Sequence, residues 1–258
     1  MSRDLFYGRE FIKDKKELIL ERISTGIPKL DELLQGGIPK NSVTLVSGPP
    51  GSGKTILCYH FIDEGIKNGE RCLYISVDQS VKSLLMHAYS AGFDFLPAIE
   101  KGLLKVFHVD VESANAYTEI EEETMSGSFS RIVVDSLSPF ADTPLVFTSD
   151  VDFEKAPILD KLSSYPSDSR PVIRSHVRRI FEFLHEVSAT SMLTSELIDH
   201  SNGLSRDTVS EFLADGVILM GVDPMMDRRK LTIWKMRGTK HTLKPQDVMI
   251  TDGGLMFK

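Results

Sequence analysis

Residues 48–55 of this chain are Gly48-Pro49-Pro50-Gly51-Ser52-Gly53-Lys54-Thr55. This stretch has the G-x-x-x-x-G-K-[ST] spacing of a loop that binds the phosphates of a nucleoside triphosphate. The preceding residues 42–47 are apolar and β-branched enough to predict a buried strand, and residues 56–67 have the apolar spacing of a helix. Strand, loop and helix occur in the required order, which favours a phosphate-binding loop over a chance glycine turn.

The residue types of this loop match the chemistry of a triphosphate. Its glycines let the backbone curl so that successive N–H groups point at the phosphates, beside the positive end of the next helix. We expect Lys54 to reach the β and γ phosphates and the Thr55 hydroxyl to bind Mg²⁺. The predicted nucleotide-binding residues here are Gly48, Pro49, Pro50, Gly51, Ser52, Gly53, Lys54, Thr55 and Ile56.

Composition narrows the class of protein. The chain has 258 residues, 41% hydrophobic and 26% charged, which is sufficient for one large α/β domain with its own core. No apolar run approaches the roughly 20 residues that cross a bilayer, and residues 1–22 alternate charges where an export signal would be apolar. We therefore expect a cytoplasmic protein with no membrane partner. The net charge of −7 argues against constitutive, non-specific binding to nucleic acid.

Apolar patterning predicts strands that alternate with helices. Strands are predicted at 72–77, 103–109, 131–135, 190–194, 216–220, 231–236 and around 248–257, and helices at 81–89 and 177–187. This order predicts an α/β fold, a mostly parallel twisted sheet with helices on both faces and an antiparallel C-terminal edge. Residues 141–171 contain four prolines and many Ser and Asp residues, which predicts an irregular insertion or a lid.

Asp135 is the predicted magnesium carboxylate. It follows the apolar run 132–134, at the C-terminal end of a predicted strand. A carboxylate in this place holds Mg²⁺ beside the loop threonine, here Thr55, in phosphate-loop enzymes. Asp after a strand is also a common turn residue, but the loop upstream favours the metal role.

Seven stretches in the same order carry a more specific resemblance. They are residues 23–27 leading to 30–34, 36–39, 48–55, 131–137, 211–215, 235–241 and 250–254. Together they make the chain similar to the KaiC-type ATPases of the RecA superfamily, as a single-domain protein of the archaeal type. The resemblance covers residues 23–258, with residues 1–22 as a leader segment. The circadian clock protein of this family has two such domains, so a clock role does not carry over.

The resemblance implies a RecA-like ATPase core that assembles into a ring, usually a hexamer, with ATP between neighbouring subunits. It further implies that Lys235 and Arg237 act in catalysis on the neighbour's γ-phosphate, as an arginine finger does. It places His241 and Asp252 against the neighbour's nucleotide. By themselves, Lys235 and Arg237 fit alternate positions on an exposed strand equally well.

The resemblance also implies a water-activating group after the second strand. The family usually has adjacent glutamates there, whereas this chain has Asp78 and Gln79. The carboxylate is therefore one methylene shorter, and small misplacement of a catalytic group reduces rates on the order of a hundredfold. The predicted catalytic residues are therefore Lys54, Asp78, Gln79, Lys235 and Arg237. The short carboxylate of Asp78 and the neutral side chain of Gln79 predict a weak ATPase.

Three functions compete at this point. The first is an ATP-binding, slowly hydrolysing ring ATPase that regulates a protein partner according to its nucleotide state. The second is a recombinase paralogue that binds single-stranded DNA through residues 141–171 and 198–206, but these segments contain more acidic than basic residues. The third is a nucleotide-binding scaffold without turnover. The first is favoured, with ATP and Mg²⁺ as cofactors.

Overall fold

A nine-stranded sheet organises the parts of the chain that the structure, a computed structural model, describes: residues 19–113, 115–142, 170–197 and 203–258. A further pair, β1 and β2, forms a small antiparallel sheet. The strands are β1 Arg22–Ile23, β2 Ile38–Pro39, β3 Val43–Gly48, β4 Cys72–Ser76, β5 Leu104–His108, β6 Arg131–Asp135, β7 Thr190–Glu196, β8 Gly216–Asp223, β9 Arg228–Met236, β10 Gln246–Thr251 and β11 Gly254–Phe257.

The order of strands in the large sheet is β11-β10-β9-β8-β3-β7-β6-β4-β5. The six strands from β8 to β5 are parallel, and β9, β10 and β11 add an antiparallel edge. The helices are α1 Pro28–Leu33, α2 Lys54–Lys67, α3 Val81–Ser90, α4 Leu96–Glu100, α5 Ala116–Ser126, α6 Ser138–Asp142, α7 Arg170–Glu186 and α8 Ser210–Leu213. This architecture confirms the predicted fold class.

Two hydrophobic layers cover the faces of the sheet. Helices α2, α3 and α4 share one layer with the C-terminal strands, and α5, α6 and α7 form the other. Every residue of β3 is buried, and its side chains alternate between the layers: Val43 and Leu45 pack on one side, and Val46 packs on the other. A strand covered on both faces needs the continuous apolar run that the sequence shows.

Arg131, at the start of β6, joins three elements on the α2 face although its side chain is fully buried. It donates to the carbonyl oxygens of Ser24 at 2.7 Å and Phe61 at 2.9 Å, and to Glu70 at 2.6 Å. Gly65 of α2 makes room, because a Cβ there would lie 2.5 Å from Arg131 Cδ. A mid-helix glycine costs about 1 kcal/mol relative to alanine, and here the close approach requires it.

The helix boundaries differ most from the sequence prediction around residues 141–171. Helix α6 extends to Asp142 and α7 begins at Arg170, earlier than the predicted start at residue 177. Pro171 is compatible with that start, because the first turn of a helix leaves its N–H groups unpaired. The rest of the predicted insertion, residues 143–169, lies outside the described residues, as do residues 1–18 of the leader. Among the described helices, none is long and apolar enough to span a bilayer.

Candidate nucleotide site

The loop 48–55 connects β3 to α2 at the C-terminal edge of the parallel strands, where α/β proteins bind ligands. Gly53 precedes α2 with φ 102°, a left-handed conformation that favours glycine. Lys54 Nζ donates to the carbonyl oxygens of Gly48 at 2.9 Å and Pro49 at 3.1 Å, so its charge lies inside the loop. Burial lowers the pKa of Lys54, and the charges of Glu196 and Asp135 oppose that shift.

Asp135 lies beside Thr55, as the sequence predicts. Thr55 Oγ1 donates to Asp135 Oδ2 at 2.9 Å, and the Tyr74 hydroxyl donates to the same oxygen at 2.7 Å. Thr194 Oγ1 donates to the other carboxylate oxygen, Oδ1. Burial raises the pKa of Tyr74 far above its usual value, so the phenol stays a donor at neutral pH. The carboxylate is thus held by side chains from three other elements.

Asp78 and Gln79 follow β4 but point to different partners. Asp78 Oδ2 accepts a hydrogen bond from Ser136 Oγ at 2.7 Å, which places it next to Asp135. Desolvation raises the pKa of the Asp78 carboxyl, against the hydrogen bond from Ser136. Gln79 Oε1 lies 2.7 Å from His87 Nδ1 on α3, so its side chain is engaged with that helix.

Glu196 is a third carboxylate of this edge, and the sequence analysis missed it. It ends β7, directly opposite Gly48 of β3 in the sheet. Its N–H group donates to Ser138 Oγ at 2.7 Å, and the next N–H, of Leu197, donates to the carbonyl of Gly48. Its charge lies close enough to raise the pKa of Lys54. An acid just after a predicted strand was the available signal, but only the strand order places it at the loop.

Lys235 and Arg237 lie at the other end of β3. Lys235 Nζ donates to the carbonyl oxygens of residues 211, 212 and 214, at the end of α8. Arg237 donates to Asp215 at 2.9 Å, and Asp215 accepts the N–H of Val43, the first residue of β3. Six strand residues extend about 17 Å. Both charges are therefore remote from Lys54 of their own subunit.

The last two predicted nucleotide contacts lie in the C-terminal part. Asp252 is exposed at the turn between β10 and β11, and its backbone lies against Gly92. His241 follows β9, and its buried Nδ1 has no hydrogen-bond partner among the described residues. In a single subunit neither side chain is brought to the loop 48–55 by a hydrogen bond within the described ranges. Residues 198–202, part of a predicted DNA-binding segment, lie outside those ranges.

The donor set suits a hard divalent cation. Mg²⁺ prefers oxygen ligands and retains several waters, so it uses one or two protein groups together with phosphate oxygens. Thr55 and Asp135 supply a hydroxyl and a carboxylate within 2.9 Å of each other. Lys54 supplies the positive charge for the phosphates. The residues present therefore fit a magnesium nucleotide.

Comparisons with known proteins indicate the family. A family model described as "ATPase: KaiC" matches residues 23–258. A UPF0273 protein of Methanopyrus kandleri is 29% identical over 245 residues, 92% of this chain and 92% of that protein. The circadian clock oscillator protein KaiC of Picosynechococcus is 28% identical, over 92% of this chain but 44% of that protein.

A solved structure is similar as well. The crystal structure of a KaiC-like protein from Pyrococcus horikoshii has a TM-score of 0.75 and 26% identity, and the match covers 93% of this chain and 100% of that one. The resemblance predicted from seven stretches of sequence is thereby confirmed, and it supports an ATP-binding ATPase. With nearly the whole sequence matched by the family model, this chain belongs to the KaiC family of ATPases.

Proposed function

We propose that this protein binds magnesium ATP at the loop 48–55 and hydrolyses it slowly, as a nucleotide-dependent regulator. The observation that supports this most directly is the contact of Thr55 with Asp135 at 2.9 Å, beside the buried Lys54. These three side chains come from α2 and β6 and converge at the edge of the sheet where the loop opens. Bound Mg²⁺ would neutralise phosphate charge.

Each protein group has a separate task in this proposal. Lys54 exchanges the carbonyl oxygens of Gly48 and Pro49 for phosphate oxygens, which keeps its charge solvated by acceptors. The loop N–H groups and the start of α2 bind the remaining phosphate oxygens. Asp78, fixed by Ser136, orients the attacking water, and its short side chain accounts for slow turnover.

We further propose a ring in which each site is completed by the next subunit. Arg237 is 58% exposed and lies at the opposite end of β3 from its own loop. The part of the chain after residue 211 also exposes several large apolar side chains, and burying such side chains favours association. They are Phe212, Trp234, Leu243, Met249 and Ile250. Assembly would bury them and bring Lys235 and Arg237, with His241 and Asp252, to the neighbour's nucleotide.

Binding is tested by Lys54→Ala, with Lys29→Ala as a matched control. Lys29 is exposed and pairs with Glu32 on α1, away from the loop. Magnesium ATP should raise the thermal midpoint of the wild type and of Lys29→Ala but not of Lys54→Ala. Stabilisation that survives in Lys54→Ala would show that nucleotide binds elsewhere.

Turnover is tested at Asp78. Asp78→Glu restores the missing methylene and should raise the rate about tenfold, whereas Asp78→Asn should remove what remains. Steady-state release of phosphate is the measurement, with magnesium ATP binding as the control for site integrity. Equal rates in wild type and both variants would exclude Asp78 as the group that orients water.

A further inference from the structure

Two buried hydroxyl groups contact the Asp135 carboxylate from opposite sides of its strand. Tyr74 lies on β4 and Thr194 on β7, the two strands that flank β6. Tyr74 donates to Asp135 Oδ2 at 2.7 Å, and Thr194 donates to Oδ1. Both side chains are completely buried. Each oxygen of the carboxylate therefore has a donor that bulk water does not replace.

We propose that Tyr74 and Thr194 are positioning residues that fix the orientation in which Asp135 receives Mg²⁺. This inference rests on the proposed function. A carboxylate rotates about its side-chain bonds unless both oxygens are restrained, and partners behind a metal ligand typically contribute 10–100-fold in metal affinity. Tyr74 and Thr194 are fully buried, so they restrain Asp135 from the interior of the protein.

Thr55 cannot do this work alone. Its hydroxyl donates to the same Oδ2 atom as Tyr74. The Thr55 oxygen is also the predicted ligand of the cation, and Thr55 makes no hydrogen bond to the other carboxylate oxygen, Oδ1, among the described residues. Thr194 restrains Oδ1, and Tyr74 restrains Oδ2 with a hydroxyl that is not a predicted ligand of the cation.

The chain supplies a matched control for each residue. Tyr59 on α2 is a buried tyrosine whose ring centre lies 5.9 Å from that of Tyr74, and its hydroxyl has no partner among the described residues. Thr44 on β3 is a buried strand threonine whose Oγ1 is likewise unpartnered there. Tyr59→Phe and Thr44→Val make the same chemical changes as Tyr74→Phe and Thr194→Val but remove no hydrogen bond to Asp135.

The test separates metal affinity from nucleotide affinity. Binding of a fluorescent ATP analogue is measured in EDTA and then across a Mg²⁺ titration for the wild type and the four variants. Tyr74→Phe and Thr194→Val should raise the half-saturating Mg²⁺ concentration about tenfold or more. Their affinity in EDTA should equal that of the wild type, and both control variants should match the wild type in both conditions.

Two results would overturn the inference. One is an unchanged Mg²⁺ requirement in Tyr74→Phe and Thr194→Val. The other is an equal loss of affinity with and without Mg²⁺, which would indicate general damage to the site. If Tyr74→Phe does not fold, Thr194→Val against Thr44→Val decides. A wild-type protein that shows no Mg²⁺-dependent binding at all refutes the proposed function, and this inference with it.

Discussion

Among individual residues, the candidate nucleotide site combines one buried lysine with three carboxylates. Asp78, Asp135 and Glu196 end or follow three parallel strands, and all three charges act on Lys54. Asp135 has a hydroxyl neighbour suited to a cation, and Asp78 is restrained by Ser136. Glu196 has no such assignment from the sequence, although it lies opposite the first glycine of the loop.

Glu196→Gln tests whether this third carboxylate takes part in hydrolysis. The amide keeps the size of the side chain but cannot accept the proton of an attacking water, so turnover should fall about a hundredfold. ATP affinity should stay equal or increase, because a negative charge near the phosphates is removed. Phosphate release and nucleotide titration measure the two effects. Wild-type turnover in Glu196→Gln would exclude Glu196 as the group that activates the water.

At the scale of elements, two contacts tie distant segments to α2. His60 Nε2 accepts the N–H of Leu255 at 2.8 Å, which holds β11 against the helix that begins at the nucleotide loop. Arg131 joins β6 to the same helix through the carbonyl of Phe61. The His60 ring and the Arg131 guanidinium are polar and removed from much of the solvent. Their contribution to stability therefore depends on the neutral form of His60 and on the hydrogen-bond partners of Arg131.

His60 makes the stability dependent on pH. Burial lowers its pKa from 6.5 to about 4, so the native state keeps the ring neutral while the unfolded state takes up a proton. The free energy of unfolding should therefore fall as the pH drops from about 6.5 to about 4, by roughly 2–3 kcal/mol from this group.

His60→Gln isolates this effect. The amide oxygen of glutamine can accept the Leu255 N–H but does not titrate, so the variant should lose about 2 kcal/mol less between pH 7.5 and pH 4.5. Urea unfolding at the two values gives the difference, and His108→Gln, at an exposed position, is the control. An equal loss of unfolding free energy in wild type and His60→Gln would show that protonation of His60 does not cause the pH dependence.

Arg131→Met should be strongly destabilising. It leaves the carbonyl oxygens of Ser24 and Phe61 without their donor and Glu70 without its partner, a loss of about 3–5 kcal/mol. Arg179→Met removes an exposed ion pair with Glu121 and should change stability by less than about 1 kcal/mol. Denaturant unfolding compares the two. Similar small losses would mean that the buried contacts of Arg131 contribute little.

Across the whole molecule, the sheet separates the candidate nucleotide site from the residues proposed to act on a neighbouring subunit. The loop 48–55, Asp78 and Asp135 lie at the C-terminal edge of the parallel strands, whereas Lys235 and Arg237 lie near Asp215 at the opposite edge. Desolvation works against the Asp215 charge, but the Val43 N–H, His185 and Arg237 together hold its pKa below the usual value. In the proposed ring, Arg237 would exchange this partner for the neighbour's phosphate.

Complementation tests the shared site. Arg237→Ala keeps its own loop but cannot serve a neighbour, and Lys54→Ala cannot bind ATP but still presents Arg237, so each alone should be inactive. Mixed rings contain some interfaces with an intact loop and an intact arginine, so part of the turnover should return. Light scattering verifies joint assembly. Joint rings without activity would indicate that Arg237 works within its own subunit or not at all.

Features that depend on residues adjacent in the chain could be predicted from the sequence. The phosphate loop, the strand before it and the helix after it depend on local backbone freedom and apolar spacing, so residues 42–67 predicted them directly. The alternation of strands and helices predicted the layered sheet, and seven short stretches identified the family. Asp135 could be singled out from the sequence for the same reason, because a carboxylate that ends an apolar strand is a local signal.

The partners of those residues, in contrast, follow from the order of the strands in the folded sheet. Tyr74, Thr194 and Glu196 surround the site because β7 lies between β3 and β6, and β4 lies on the far side of β6. Arg131 can be buried because Gly65 leaves space for its side chain and Glu70 accepts its hydrogen bond. These contacts join residues far apart in the chain, and the burial energy of both layers together sets the strand order and register that create them. The apolar periodicity within each segment does not specify the order of the strands in the sheet.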